Sequence, residues 1–232
     1  MPSWLGVTGK TRQNDLDVSF TISFQPGSST TQSLKGGGGT ENRQAYITFG
    51  DASWGSIKIG KDIGVFGVDA ILSLLGVGSQ GIVGAAGGTT TTLGRIGTGY
   101  VYTDFNGQIN YTSPNMNGFQ FTAGIDQPLN TNNQSTDSLS STGTQSSPAF
   151  VALARYSWTG DVAGKVWAEY KSQSVDYTAT VDERASMYGI GANVNVAGLG
   201  LTGYYYDGKG AGTTAWLMDG VASNGNRRDS NG

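Results

Sequence analysis

The chain has 232 residues, carries a net charge of −3, and contains only 13% charged residues together with 38 glycines. Its acidic balance argues against a nucleic-acid partner, because nucleic acids are bound by basic surfaces. The sequence has no cysteine and no histidine, which excludes thiol chemistry and removes the usual catalytic base, so we predict no enzyme, no metal and no cofactor.

Apolar and polar side chains alternate with a period of two along most of the chain, which is typical of β-strands. Residues 15–24 are the clearest example, with apolar side chains at every even position and polar ones at every odd position. A weaker strand is predicted at residues 213–221. The other predicted strands, in chain order, are residues 4–9, 15–24, 43–50, 55–60, 106–112, 118–126, 150–158, 162–171, 185–196 and 199–207.

The connections between these strands alternate strictly between short and long. The short ones are residues 10–14, 51–54, 113–117, 159–161 and 197–198. The long ones are residues 25–42, 61–98, 127–148, 172–184 and 208–212. An up-and-down antiparallel barrel places all tight turns at one rim and all long loops at the other, as outer-membrane barrels do. A Greek-key sandwich has no reason to keep this alternation.

The two faces of the predicted strands differ in a way that favours a membrane barrel. The polar faces hold mainly Gly, Ser, Thr, Asn and Gln, which suits a wetted lumen better than a charged outer surface. The apolar faces often have Phe, Tyr or Trp near the strand ends. Such aromatics form girdles at both membrane interfaces. A single aromatic at a strand end more often reflects ordinary packing, so only the repetition of the pattern favours a girdle. We therefore predict that lipid, rather than a protein core, covers the apolar faces.

Several stretches resemble Gram-negative general porins. WLGVTGK followed by DLDVSFTISF is similar to the second and third strands of that family, and NRQAYITFGDASWGSIKIGKD is similar to the next hairpin. INYTSPNMNGFQFTAGI resembles the hairpin that follows the pore loop, and YGIGANVNVAGLGLTGYYYDG resembles a later one. The resemblance covers most of the chain and implies an all-β, antiparallel up-and-down transmembrane β-barrel of the porin type.

The chain departs from that family in strand number. About eleven strands are predicted, whereas these trimeric porins have 16, and the first strand and the C-terminal strands have no counterpart. We therefore expect residues 1–232 to be one porin domain in fragment form. Open sheet edges are not tolerated in lipid, so either this barrel is incomplete or its strands close into a smaller ring.

The resemblance also implies where the pore narrows. Residues 61–98 correspond to the loop that folds into the lumen, and Asp69 is expected to cap a short helix over residues 69–75. The alternative is a mobile extracellular flap. The predicted constriction residues are two acids and five basic residues: Asp62, Asp69, Lys58, Lys61, Arg95, Lys10 and Arg155. Any one of them could equally be a solvated lumen residue without a special role, and Arg43 is expected at the rim.

These expectations lead to an outer-membrane channel for passive diffusion of small hydrophilic solutes and ions, in a Gram-negative cell. The expected surroundings are outer-membrane lipid and lipopolysaccharide, and the resemblance implies a homotrimer. Two alternatives remain at this point. One is a soluble secreted carbohydrate-binding protein or enzyme that uses exposed aromatics with Glu169 and Asp126, and the other is a structural barrel that does not conduct.

Overall fold

The computed structural model describes residues 4–26, 40–75, 99–178, 181–212 and 214–232. In these ranges the chain forms a single sheet of eleven strands, and each strand pairs antiparallel with the strands next to it in sequence. The structure thus confirms the prediction of an all-β, up-and-down antiparallel sheet. β1 and β11 form its two edges, so the described sheet is an open barrel.

The strand bounds are close to those predicted from the alternation of side chains. The strands are β1 (Leu5–Gln13), β2 (Leu16–Pro26), β3 (Thr40–Asp51), β4 (Gly55–Ile63), β5 (Phe105–Thr112), β6 (Phe119–Asp126), β7 (Ala149–Trp158), β8 (Val162–Thr178), β9 (Val181–Val196), β10 (Leu199–Lys209) and β11 (Asp229–Asn231).

Two predictions near the end of the chain were wrong. The weak strand at residues 213–221 is absent from the described part of that range, which forms turns with isolated bridges, and the last strand is instead β11. In the described part of the predicted loop at residues 172–184, β8 continues to Thr178 and β9 begins at Val181, and the two strands pair to that point. The hairpin extends beyond the neighbouring strands at the long-loop rim.

The tight turns lie together at the opposite rim, where the backbone conformation matches short hairpin connections. Asn14 and Asp15 both have positive φ, and so do Ala197 and Gly198. Two consecutive residues with positive φ form the turn whose twist matches that of the flanking strands. These turns fix the register of the hairpins and hence which side chains point to each face.

The sheet has an apolar outer face and a polar inner face. The exposed apolar side chains recur at alternate positions, among them Phe20, Ile22, Ile47, Ile59, Ile109, Phe121, Ile125, Val166, Ile190 and Leu201. The intervening positions hold buried polar side chains, among them Ser23, Asp62, Gln108, Asn110, Thr122 and Glu169. A soluble protein shows the opposite arrangement, because burial of apolar surface stabilises its core.

The chain folds back onto the inner face directly after β4. Residues 64–75, here called the inner segment, contain a short helix α1 (Val68–Ala70) and a π-helical turn (Ile71–Leu75). The prediction that Asp69 caps this helix was wrong, since Gly67 is the N-cap residue and Asp69 lies in the first turn. In the described part of the chain no helix has the length and apolar character needed to cross a membrane.

Candidate functional site

Asp69 joins the inner segment to the wall of the sheet. Its Oδ2 accepts a hydrogen bond from Nε of Arg155 at 2.5 Å, and its Oδ1 accepts one from Nζ of Lys165 at 2.8 Å. Arg155 lies on β7, and Lys165 lies on the neighbouring strand β8, two residues before Trp167, which is directly opposite Arg155. Hydrogen bonds between oppositely charged groups are the strong ones, so this carboxylate fixes α1 against two strands.

A second ion pair lies on β4, in another part of the same sheet. Lys58 and Asp62 are both on the inner face of β4, and their Nζ and Oδ2 atoms are 2.5 Å apart. Asp62 Oδ1 also accepts a hydrogen bond from the side chain of Gln44 at 3.0 Å, and Lys58 lies over the ring of Tyr46. Asp62 was expected in the loop, but it is a wall residue because β4 continues to Ile63.

Glu169, on the wall of the sheet, binds the backbone near the start of the inner segment. Its Oε2 accepts a hydrogen bond from the backbone N–H of Gly67 at 2.9 Å, and its Oε1 accepts one from the hydroxyl of Tyr204 at 2.6 Å. Glu169 is buried on β8, between the inner segment and the wall. A buried carboxylate with two such donors fixes the position of the backbone that it binds.

Apolar packing completes the attachment of the inner segment. Val65 and Ala70 are buried against the inward side chains Val151, Leu153 and Trp167 of β7 and β8. The ring of Trp167 stacks on Tyr204, with centroids 6.1 Å apart. The inner segment therefore rests on an apolar patch and is bordered by ion pairs, so it has one preferred position.

A polar cavity of about 160 Å³ remains between the inner segment and the wall. Its lining includes Lys58 from β4, Gln108 and Asn110 from β5, and Arg155 from β7. Oδ1 of Asn110 is buried and has no hydrogen-bond partner among the described residues. Cationic and amide groups around a narrow space are the kind of lining that discriminates among permeating ions.

The other predicted site residues do not join this cluster. Lys10 lies on β1 and lines a separate cavity of about 820 Å³ near the tight-turn rim. Lys61 is exposed on the same face as Ile59, which is the outer face, so the prediction that it lines the constriction disagrees with its position. Arg95 lies outside the described residues. Arg43 pairs with Glu41 at 2.8 Å and lies over the ring of Phe105.

The sequence analysis missed Lys165 and Glu169 as members of the site. The alternation along β8 does place both on the polar face, together with Trp167 and Lys171, so a signal for their direction existed. No local signal shows that Asp69, 96 positions from Lys165, would contact it. That contact depends on the path of the chain between β4 and β5.

Comparison with known proteins identifies the fold. A protein-family model described as "Gram-negative porin" matches residues 1–227. The anion-selective porin of Comamonas acidovorans superposes with a TM-score of 0.58 at 17% identity, covering 90% of this chain. OmpF of Salmonella typhi, in a complex with daunomycin, superposes with a TM-score of 0.59 at 17% identity, covering 89%. This chain spans 58% of the length of either porin. A search of curated proteins gave no match.

Proposed function

This chain belongs to the Gram-negative porin family of the outer membrane, and from that premise we propose that it forms a water-filled channel for the passive diffusion of small hydrophilic solutes and ions. Membership of that family indicates a channel rather than an enzyme. An outer-membrane location does not fit a soluble secreted carbohydrate-binding protein. It does fit a structural barrel without conductance, so that alternative is the one to test.

The observation that supports a channel best is the distribution of polar groups across the sheet. Ion pairs and amides lie on the inner face, whereas the outer face carries a band of exposed apolar side chains across β1 to β10. Charged groups at membrane depth are stable only where protein or water surrounds them. A water-filled interior supplies such surroundings, and it is also the path that a hydrophilic solute needs.

We propose that the constriction is formed by the inner segment and the wall opposite it. Among the residues that the structure describes, Lys58, Arg155 and Lys165 face two carboxylates there, those of Asp62 and Asp69. Glu169 lies beneath the inner segment and is shielded from the solute path. Three cations against two anions favour a weak preference for anions, since charged rings set the selectivity of such pores.

We further propose outer-membrane lipid and lipopolysaccharide as the surroundings of the outer face, and a homotrimer as the assembly. The exposed apolar side chains support the contact with lipid. The trimer rests on the resemblance to trimeric porins alone. Chemical cross-linking in native membranes, followed by electrophoresis without heating, tests the assembly, and a band of one protomer only would contradict it.

The channel itself is tested by planar-bilayer recording of the protein extracted from its native outer membrane. We expect discrete conductance steps, together with a gel band that shifts on heating and so reports a folded barrel. Entry of small sugars into liposomes containing the protein provides a second readout. A folded and inserted protein that produces neither steps nor sugar entry would support the structural barrel instead.

A further inference from the structure

A second segment fills the inner side of the sheet at the long-loop rim. Residues 214–221, here called the mouth segment, follow β10, and their apolar side chains are almost completely buried. Leu217 is 0% exposed and Trp216 is 4% exposed. They form one apolar cluster with the inward side chains of the β8–β9 hairpin and β10, which are Val175, Tyr177, Ala185, Met187 and Tyr206.

The sequence of the hairpin itself indicates that this part of the inner face is dry. Along β8 the inward positions are odd-numbered, and they change from polar to apolar between Gln173 and Val175. On β9 the inward positions Ala185 and Met187 are apolar, while the inward positions nearer the turns are glycine and asparagine. The inner wall is apolar where a segment of the chain covers it, under the inner segment at Val151, Leu153 and Trp167 and here under the mouth segment, so the wall and its cover have matching polarity.

Polar contacts from β8 and Asp126 fix the mouth segment at Trp216. Lys171 and Asp126 form an ion pair of 2.8 Å in which both side chains are fully buried. The Nζ atom of Lys171 lies 5.3 Å from the ring centroid of Trp216. The indole N–H of Trp216 also donates a hydrogen bond to Oε1 of Gln173 at 3.3 Å. Trp216 is therefore held by a cation under its ring and an acceptor at its edge.

Backbone contacts join the mouth segment to two other connections. The N–H of Trp216 donates to the carbonyl of Tyr102 at 2.8 Å, in the stretch that leads into β5. The N–H of Leu139 donates to the carbonyl of Val221 at 2.9 Å, and the carboxylate of Asp219 accepts from the N–H of Ser135 at 2.9 Å. Three connections thus form one packed unit, which distinguishes the mouth segment from a loop that moves freely.

We propose that the mouth segment is a second constriction of the channel and that Trp216 is the residue that positions it. It closes the lumen over β8 to β10 at the long-loop rim, so the open path runs along the inner face of the strands before them and leads to the cavity of about 820 Å³ near the tight-turn rim. The limit on solute size is then set at two levels, by the inner segment and by the mouth segment. This proposal rests on the proposed channel function.

Cysteine labelling tests the proposal directly, because the chain contains no cysteine of its own. A membrane-impermeant maleimide is applied to outer membranes containing either the Met187→Cys or the Thr48→Cys protein. Met187 lies under the mouth segment, whereas Thr48 lines the open cavity. We expect slow labelling of the Met187→Cys protein and fast labelling of the Thr48→Cys protein. Equal rates would overturn the proposal.

Trp216→Ala provides the functional arm of the test. Removing a buried tryptophan should accelerate labelling of the Met187→Cys protein on the order of 100-fold, because local opening becomes easier. The same change should increase single-channel conductance and admit larger sugars. The matched control is Trp54→Ala, which removes a partly exposed tryptophan at the tight-turn rim. It should leave the labelling rate, the single-channel conductance and the size of the admitted sugars unchanged.

The outcomes separate this proposal from the channel function. An unaltered protein that does not conduct would reject the channel, while protection of the Met187→Cys protein would still report the position of the mouth segment. A folded Trp216→Ala protein with unchanged conductance and unchanged sugar entry would overturn the second constriction. If Trp216→Ala does not fold, the two labelling rates in the otherwise unaltered protein decide the matter.

Discussion

Asp69 and Arg155 are separated by 86 positions in the chain, yet the Oδ2 atom of one lies 2.5 Å from the Nε atom of the other. This contact joins a segment that follows β4 to the middle of the wall formed by β7. Only Nε of the guanidinium is used in it, so the rest of the Arg155 side chain faces the cavity between the inner segment and the wall. The pair therefore both positions the inner segment and supplies charge to the narrow part of the channel.

Neutralising Asp69 should shift ion selectivity towards anions. In the Asp69→Asn protein, Arg155 and Lys165 lose their shared carboxylate, which raises the positive charge of the constriction. The measurement is the reversal potential across a planar bilayer in a salt gradient. Asp161→Asn is the control, because it makes the same change of charge in a tight turn away from the cavity. Equal shifts in both proteins would contradict a local role for Asp69.

Breaking the buried pair of Lys171 and Asp126 should destabilise the barrel strongly. Lys171→Met leaves the Asp126 carboxylate buried without its cation, which typically costs about 3–5 kcal/mol. The readout is the temperature at which the folded gel band disappears. Lys209→Met is the matched control, because its pair with Asp229 is mostly exposed and contributes about 0–1 kcal/mol. A similar effect of both changes would show that the buried ion pair stabilises the barrel no more than the exposed pair does.

Two glycines on the paired strands β9 and β10 should differ in how strongly the same substitution destabilises the fold. A Cβ atom at Gly191 would lie 2.1 Å from Cζ2 of Trp167, so Gly191→Val must displace the ring that supports the inner segment. We expect a loss of about 1–3 kcal/mol in the free energy of unfolding. At Gly203, on the outer face, nothing lies within 4 Å, and Gly203→Val should be nearly neutral. Denaturant unfolding in detergent measures both.

The carboxyl group of Asp137, in the connection between β6 and β7, should titrate below its ordinary range. A hydrogen bond from the Ser223 hydroxyl is the main cause of the lowered pKa, and the nearby Arg228 guanidinium adds to it. A carboxyl group whose pKa is lower in the folded state stabilises the fold at pH values above about 3.9, the pKa of Asp in the unfolded chain. This stabilisation is lost as the pH falls through the pKa of the folded state. Carbon-detected NMR titration of the carboxyl group measures the midpoint.

Ser223→Ala should move the midpoint of Asp137 back towards its ordinary value, since it removes the main cause of the shift. Ser230→Ala is the control, because Ser230 is buried on β11 and its hydroxyl has no hydrogen-bond partner among the described residues. A midpoint in the unaltered protein at or above about 3.9 would contradict the contact.

The sequence predicted the sheet well because the side-chain period is a local property. Residues 15–24 alternate without interruption, and the structure places residues 16–24 in β2, with Phe20 and Ile22 outward and Thr21 and Ser23 inward. The prediction ended β8 too early and began β9 too late for a physical reason. From Lys171 to Ser174 every side chain is polar, and where the alternation resumes the inward side chains Val175 and Tyr177 are the apolar ones. The pattern therefore no longer resembles a lipid-facing strand, although the backbone remains extended.

The site was predicted less well because its contacts depend on the path of long connections. Alternation was enough to place Lys58 and Arg155 on the inner face, and their positions agree with that prediction. It also places Lys61 on the outer face, so the inference from the family at that position conflicted with the local pattern, and the structure follows the pattern. The burial of Trp216 was not predicted, because the weak alternation at residues 213–221 indicates a strand instead of a segment that folds onto the inner face.

If the chain forms a channel in the outer membrane, lipid covers the apolar side of the sheet while water fills the other side. A nitroxide scan along residues 56–59 of β4 in outer-membrane lipid compares relaxation by dissolved oxygen with relaxation by a water-soluble nickel complex. Labels at the inward positions Ser56 and Lys58 should respond to nickel, and labels at Ile57 and Ile59 should respond to oxygen. The reverse assignment, or the absence of a period of two, would contradict the account.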